Sequence, residues 1–260
     1  MSRARARPVA GTHPIDTGTV ELRPDGADWV LLVNGVPSSA VCPSDPGRLS
    51  FPYLAQLAAF VEAAFPGPVQ ALHLGGAGCA LPWALAVRRP GSRQLVAELD
   101  GRLVTLVRSW FELPRSPQLR VRVGDARQVL ESRPDAGLDV VVRDAFAGDR
   151  TPRHLCTVEF HAQVRRVLAP GGVYLANVAA GRGTRTKAEF ASVAAVFPDV
   201  AALVERSSKA ANALLVAGEA LPREQLTAAA RRTTPGADLL AGQALHRFLA
   251  GARPLRDSPG

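Results

Sequence analysis

The sequence predicts an α/β fold: a mainly parallel, seven-stranded sheet with helices on both faces, preceded by a small β-rich N-terminal domain. Three observations lead there. From Val69 onward, short apolar runs alternate with segments that are apolar at helical spacing, and such alternation requires crossover connections between parallel strands. Before Val69, β-branched runs are separated by turn-forming Pro24-Asp25-Gly26-Ala27 and by Asn34-Gly35. A glycine-rich turn at Gly75, Gly76 and Gly78 follows the first apolar run of the alternating region and leads into a helix.

Each element follows from local chemistry. Residues 1–17 are small, polar and basic and read as a disordered tail. Residues 18–66 form the N-terminal domain, with strands expected over 19–23, 29–33 and 38–41. A helix over 52–65 carries Leu54, Leu57, Ala58 and Val61 on one face and is stopped by Pro66-Gly67-Pro68. Residues 67–218 form the nucleoside-binding domain. Its strands fall at 69–74, 94–99, 119–123, 138–142, 173–178, 200–204 and 213–217, and its helices at 81–87, 102–111, 126–131, 158–168 and 187–196. Residues 219–260 read as a peripheral extension with helices near 223–231 and 237–250.

Composition excludes several classes. No run approaches the ~18 apolar residues needed to span a bilayer. Arg3, Arg5 and Arg7 have no apolar stretch behind them to make a secretion signal, so the chain reads as soluble and cytoplasmic with no membrane partner. Cys42, Cys79 and Cys156 lie far apart, and the five histidines show no ligand spacing, so no metal is expected. The net charge of +8 comes almost wholly from arginines spread along the chain, which suggests a generally basic surface rather than a nucleic-acid site. His73 reads as packed within a strand. His154 reads as a surface-loop residue, with gating of a substrate as the alternative.

The site residues come from strand ends. Glycines at 75, 76 and 78 let backbone approach a ligand, and the helix after them presents unpaired N–H groups. Glu98 ends the second strand about 20 residues on, where a carboxylate meets a ribose diol. Asp100 reads as a helix N-cap. Asp125, in Gly124-Asp125-Ala126, is either an acceptor for an adenine 6-amino group or a helix N-cap. Asp144 follows the buried run Leu138-Asp139-Val140-Val141-Val142-Arg143 at the switch region of the sheet, where an acidic group points to function.

Together these segments resemble the spermidine synthase family, within the Rossmann-like class I methyltransferase fold. The resemblance is carried by Leu-Gly-Gly-Ala-Gly at 74–78, Ala-Glu-Leu-Asp at 97–100, Val-Gly-Asp-Ala at 123–126 and Asp-Val-Val-Val-Arg-Asp-Ala-Phe at 139–146. Pro152 to Phe160 and Leu-Ala-Pro-Gly-Gly at 168–172 add to it, and the match extends over about 18–218. The resemblance implies a transferase of polyamine biosynthesis whose co-substrate is S-adenosylmethionine or its decarboxylated form. Gly75, Gly76, Gly78, Glu98, Asp125 and Ala126 would bind that nucleoside. Asp144 would sit by the sulfonium and receive a proton from an attacking amine. The acceptor would be a small molecule such as an amine, and the enzyme a possible homodimer. Methyl transfer to an unknown acceptor and non-catalytic nucleoside binding are the alternatives. The family pattern places aspartates where Gly78 and Ala147 stand, and Arg143, Arg150 and Arg153 are expected to bring positive charge to the mouth of the site.

Overall fold

The structure is a computed structural model that describes residues 7–148, 150–179, 184–203, 212–236 and 239–258. Two sheets organise the chain. The first is an antiparallel meander of β1 (Gly11–Ile15), β2 (Gly18–Asp25), β3 (Asp28–Val33) and β4 (Val36–Val41), in that order. After α1 (Pro52–Ala64) the second sheet begins with β5 (Gln70–Leu74), α2 (Ala80–Arg88), β6 (Arg93–Glu98), α3 (Gly101–Trp110) and β7 (Leu119–Val123). It continues through α4 (Ala126–Glu131), β8 (Leu138–Arg143), α5 (Val158–Val167), β9 (Leu168–Ala179) and α6 (Thr184–Ala194). It closes with β10 (Asp199–Leu203), β11 (Asn212–Gly218), α7 (Arg223–Thr233), β12 (Leu239–Ala241) and α8 (Gly242–Leu249).

The second sheet has the order β12-β10-β11-β9-β8-β5-β6-β7. The run from β9 to β7 is parallel, whereas β11, β10 and β12 each pair antiparallel to their neighbours. The chain leaves β5 toward β6 and β7, then returns with β8 to β5's other side. The crevice beyond the C-terminal ends of β5 and β8 is therefore the switch point at which open sheets bind ligands. Strand alternation sends Ala71, Val140 and Val142 into one core and Leu72, Leu74 and Val141 into the other. The first core also takes in Val20, Leu22 and Leu31 of the meander, Phe60 of α1 and Trp110 of α3. The N-terminal sheet is thus fused to the second sheet through shared apolar packing.

Several sequence expectations change. Residues 11–17, expected to be disordered, form β1 and its turn. The strand pairs in register from Gly11↔Leu22 to Ile15↔Gly18. His13 packs on Trp110 with ring centroids 5.0 Å apart, and Asp16 accepts from the Arg102 N–H at 3.0 Å. The segment carries too little apolar surface to signal a strand; pairing with β2 and docking on α3 supply the order. The sheet has eight strands rather than seven, because Leu239–Ala241, assigned to a helix, adds to the free edge of β10 and delays the helix to Gly242. Residues 237–238 and Val204, included in predicted elements, lie outside the described residues. Helix α7 is not peripheral: Leu226, Ala229 and Ala230 are fully buried. Ala169-Pro170-Gly171-Gly172 does not separate helix from strand but belongs to β9, as an irregularity against β8 that shifts register between Leu138↔Leu168 and Val140↔Val173. No helix among the described residues is long and apolar enough to cross a membrane.

Candidate active site

Backbone hydrogen bonds tie the strand tips into one row. Asp144 N–H donates to Leu74 O, Gly75 N–H to Ala97 O and Gly124 N–H to Glu98 O, each at 2.9 Å. The ends of β8, β5, β6 and β7 therefore stand side by side. Gly75 adopts φ +95°, and a Cβ there would lie 2.3 Å from Asp144 O, so only glycine permits this approach. Gly78 has a different reason: a Cβ would lie 2.7 Å from Ser39 Oγ, so its absence lets β4 pack on the turn. Gly75, Gly76 and Ala77 line the adjoining cleft, whereas Gly78 is a packing position.

An open cleft of about 380 Å³, continuous with solvent, lies between the meander and the sheet edge. Ser38 and Ser39 of β4, Tyr53 and Leu54 of α1, His73, Leu81, Pro82 and Val142 form its walls, with Asp144 among them. Asp144 accepts from Asn177 Nδ2 at 2.8 Å and from the Tyr53 hydroxyl at 3.1 Å. Burial raises its carboxyl above the ordinary carboxylate range, against the opposing pull of Asn177, Tyr53 and the Arg143 charge. Burial and the neighbouring Asp144 also hold the Tyr53 hydroxyl strongly protonated, so it stays a donor. His73 is buried against Gln94 at 2.8 Å, and burial pushes it down to about 4, so it is neutral at pH 7.

Arg143 does not reach the mouth of the cleft. Strand alternation turns it to the opposite face, where it is fully buried, pairs with Glu189 and donates to Leu155 O and Asn177 O. A charge expected at the site is therefore neutralised in the core. Arg153 is exposed and donates to Arg256 O at 3.1 Å.

Glu98 lies against the glycine turn, as the spacing anticipates, but its carboxylate is already engaged. Oε2 accepts from Gly76 and Ala77 N–H at 3.1 and 3.0 Å, and Oε1 from Asp100 N–H at 3.1 Å. It borders a second, smaller hollow of about 200 Å³ that meets the main cleft at Ala77. Asp125 takes one of its two expected roles, the helix N-cap. Oδ1 caps α4 through Arg127 and Gln128 N–H at 3.0 and 3.1 Å, while Oδ2 hydrogen-bonds His154 Nε2 at 2.9 Å. Burial would raise Asp125, but those backbone N–H groups and His154 outweigh it and hold the carboxyl low. Ala126 is buried under Leu72 and Leu74, leaving only its backbone near the site. Asp100 caps α3 through Leu103 N–H at 2.8 Å, as expected.

Sequence reasoning missed Tyr53 and Asn177, which lie 91 and 33 residues from Asp144 along the chain and carry no local signal.

No family model matches the chain. A probable spermidine synthase from Corynebacterium glutamicum superposes with a TM-score of 0.90 at 33% identity, over 97% of this chain and 98% of that one. The chain belongs to the spermidine synthase family. Within the curated members, a polyamine aminopropyltransferase of Vibrio vulnificus is 33% identical over 135 residues, or 50% of this chain and 44% of that protein. The aligned part thus spans less than half of that family member. A spermidine synthase in complex with the transition state analogue AdoDATO has the same fold, with a TM-score of 0.64 at 16% identity over 83% of this chain and 74% of that one.

The residues present fit a nucleoside. A carboxylate offers about four lone-pair positions. Glu98 uses three and keeps one on Oε1, and Asp125 uses three and keeps one on Oδ2. Each can thus accept one further hydrogen bond. Glu98 can take one ribose hydroxyl as it stands, and taking both requires release of one of the three backbone N–H groups it now holds. Replacing Glu98 with alanine removes a charged acceptor and frees the turn at Gly76 and Ala77. A hydrogen bond to a charged group is worth roughly 1.5–3 kcal/mol, so nucleoside Kd is expected to rise on the order of 10–100-fold in calorimetry. An unchanged Kd would exclude Glu98 from ribose binding.

Proposed function

We propose that the chain is an aminopropyltransferase that binds decarboxylated S-adenosylmethionine along the strand tips and moves its aminopropyl group to a primary amine. One observation carries the reading: Asp144 stands half-buried beside the glycine turn at the switch point, held by Asn177 and Tyr53 with its carboxyl raised above the ordinary carboxylate range. Glu98 and Asp125 take the sugar and the base. The sulfonium activates the carbon attached to it, so the protein's task is alignment.

The amine arrives protonated, since its pKa lies near ~10. Asp144 binds the ammonium and assists loss of one proton. The freed nitrogen lone pair forms a bond to the propyl carbon, the carbon–sulfur bond breaks, and its electron pair stays on sulfur as a neutral thioether. The new secondary amine leaves protonated, and the released proton passes to solvent. Asn177 and Tyr53 both donate to Asp144, which fixes the carboxylate plane without quenching its charge.

The test is incubation with isotopically labelled decarboxylated S-adenosylmethionine and a panel of primary amines, followed by mass detection of the aminopropylated product. Product that depends on the amine supports the reading. Methyl transfer from intact S-adenosylmethionine, with no aminopropyl product, replaces it with the methyltransferase alternative.

A further inference from the structure

We propose that the acceptor carries a single cationic nitrogen and a neutral distal end, hydroxylated or aliphatic, rather than a second ammonium. This rests on the aminopropyltransferase reading and specifies its substrate class. Among the described residues that line the cleft, Asp144 is the one carboxylate. The rest of the lining carries no countercharge: hydroxyls of Ser38, Ser39 and Tyr53, the neutral His73, and the hydrocarbon of Leu54 and Leu81. Asp144 itself is already braced by two donors, which leaves one lone-pair position on each oxygen for the ammonium it pairs.

A second ammonium would lose its hydration against Ser38 and the leucines with no countercharge, and an unpaired desolvated charge is strongly disfavoured. A neutral end meets no such loss. Ser38 donates its own proton to Val36 O at 2.9 Å, so its oxygen presents lone pairs to the cleft and can accept from a hydroxyl. Leu54, Leu81 and Pro82 suit the methylene chain.

The experiment compares three acceptors built on the same butyl chain, with the same decarboxylated donor: putrescine, butylamine, and the aminobutanol whose hydroxyl replaces one amine. The aminobutanol and butylamine are expected to exceed putrescine in kcat/KM by roughly tenfold or more, the aminobutanol leading. Putrescine equal to or better than both overturns this inference and leaves the aminopropyltransferase reading standing. Transfer to none of the three, with the donor still bound in calorimetry, overturns that reading and this one with it. Ser38→Asp supplies a second carboxylate at the distal wall and is expected to move the preference toward putrescine by at least about tenfold. An unchanged ratio in that variant overturns the placement of the distal end at Ser38.

Discussion

Asp144→Asn is expected to lower kcat by about 10²–10⁴-fold while leaving donor Kd within about twofold. The variant keeps its surroundings: the asparagine carbonyl can accept from Asn177, and its amide can donate to the Tyr53 oxygen, which accepts as readily as it donates. Only the negative charge is lost, and with it the means of holding and deprotonating an ammonium. Steady-state kinetics and calorimetry on the same preparation separate the two effects. A kcat within threefold of the parent would remove Asp144 from the chemistry.

The same substitution has a signature in stability. Burial raises the folded-state carboxyl of Asp144 above its unfolded value. Between those values the native protein holds a proton that the unfolded chain has released, so stability falls as pH rises through this window. The cost is fully present above the folded value and absent below the unfolded one. Asp144→Asn should therefore raise Tm at pH 7 and give no gain in acid. In the parent enzyme, kcat should decline as pH falls through a limb lying above the ordinary carboxylate value of about 3.9. A melting difference independent of pH would show that this carboxylate bears no burial cost.

The second large effect is structural. Glu189→Gln is expected to destabilise the fold by about 3–5 kcal/mol, read as a lower urea midpoint with an unchanged slope. Arg143 is fully buried and Glu189 nearly so. Burial lowers the guanidinium's proton affinity, and the Glu189 carboxylate outweighs that effect. Removing the carboxylate leaves a cation in the core. The paired change Arg143→Met with Glu189→Leu removes both charges and should recover most of the loss, since apolar replacement of a buried pair is often neutral or better. Arg143 Nη2 also donates to the backbone carbonyl of Asn177, the residue that braces Asp144. Failure of the paired variant to recover stability would show that those backbone contacts, rather than charge pairing, hold the pair in place.

Much of the site was legible because it obeys local rules. A glycine turn after a buried strand and carboxylates at successive strand ends are short-range patterns, and β5, β6, β7 and β8 fell within a residue or so of their expected limits. Asp100 and Asp125 were readable as caps because the helix begins directly after each. Arg143 was misjudged by one step of alternation: its neighbour Asp144 leaves the strand for the cleft, while Arg143 remains in the pleat and faces the other way. Strand β1 and edge strand β12 were misjudged because each owes its order to a partner strand rather than to its own apolar content.

The sequence by itself determined the order of strands and helices, the crossover topology and the acidic strand tips, since periodicity, turn chemistry and caps act over a few residues. The tertiary structure alone decided what Asp144 is: a carboxyl braced by Tyr53 from the helix after the meander and Asn177 from the neighbouring strand, and desolvated by a sheet that packs over it. It also decided that Glu98 grips the turn it was expected to complement, and that Gly78 serves the junction of the two sheets. Desolvation and long-range hydrogen bonding exist only once distant segments meet, and no local pattern encodes them.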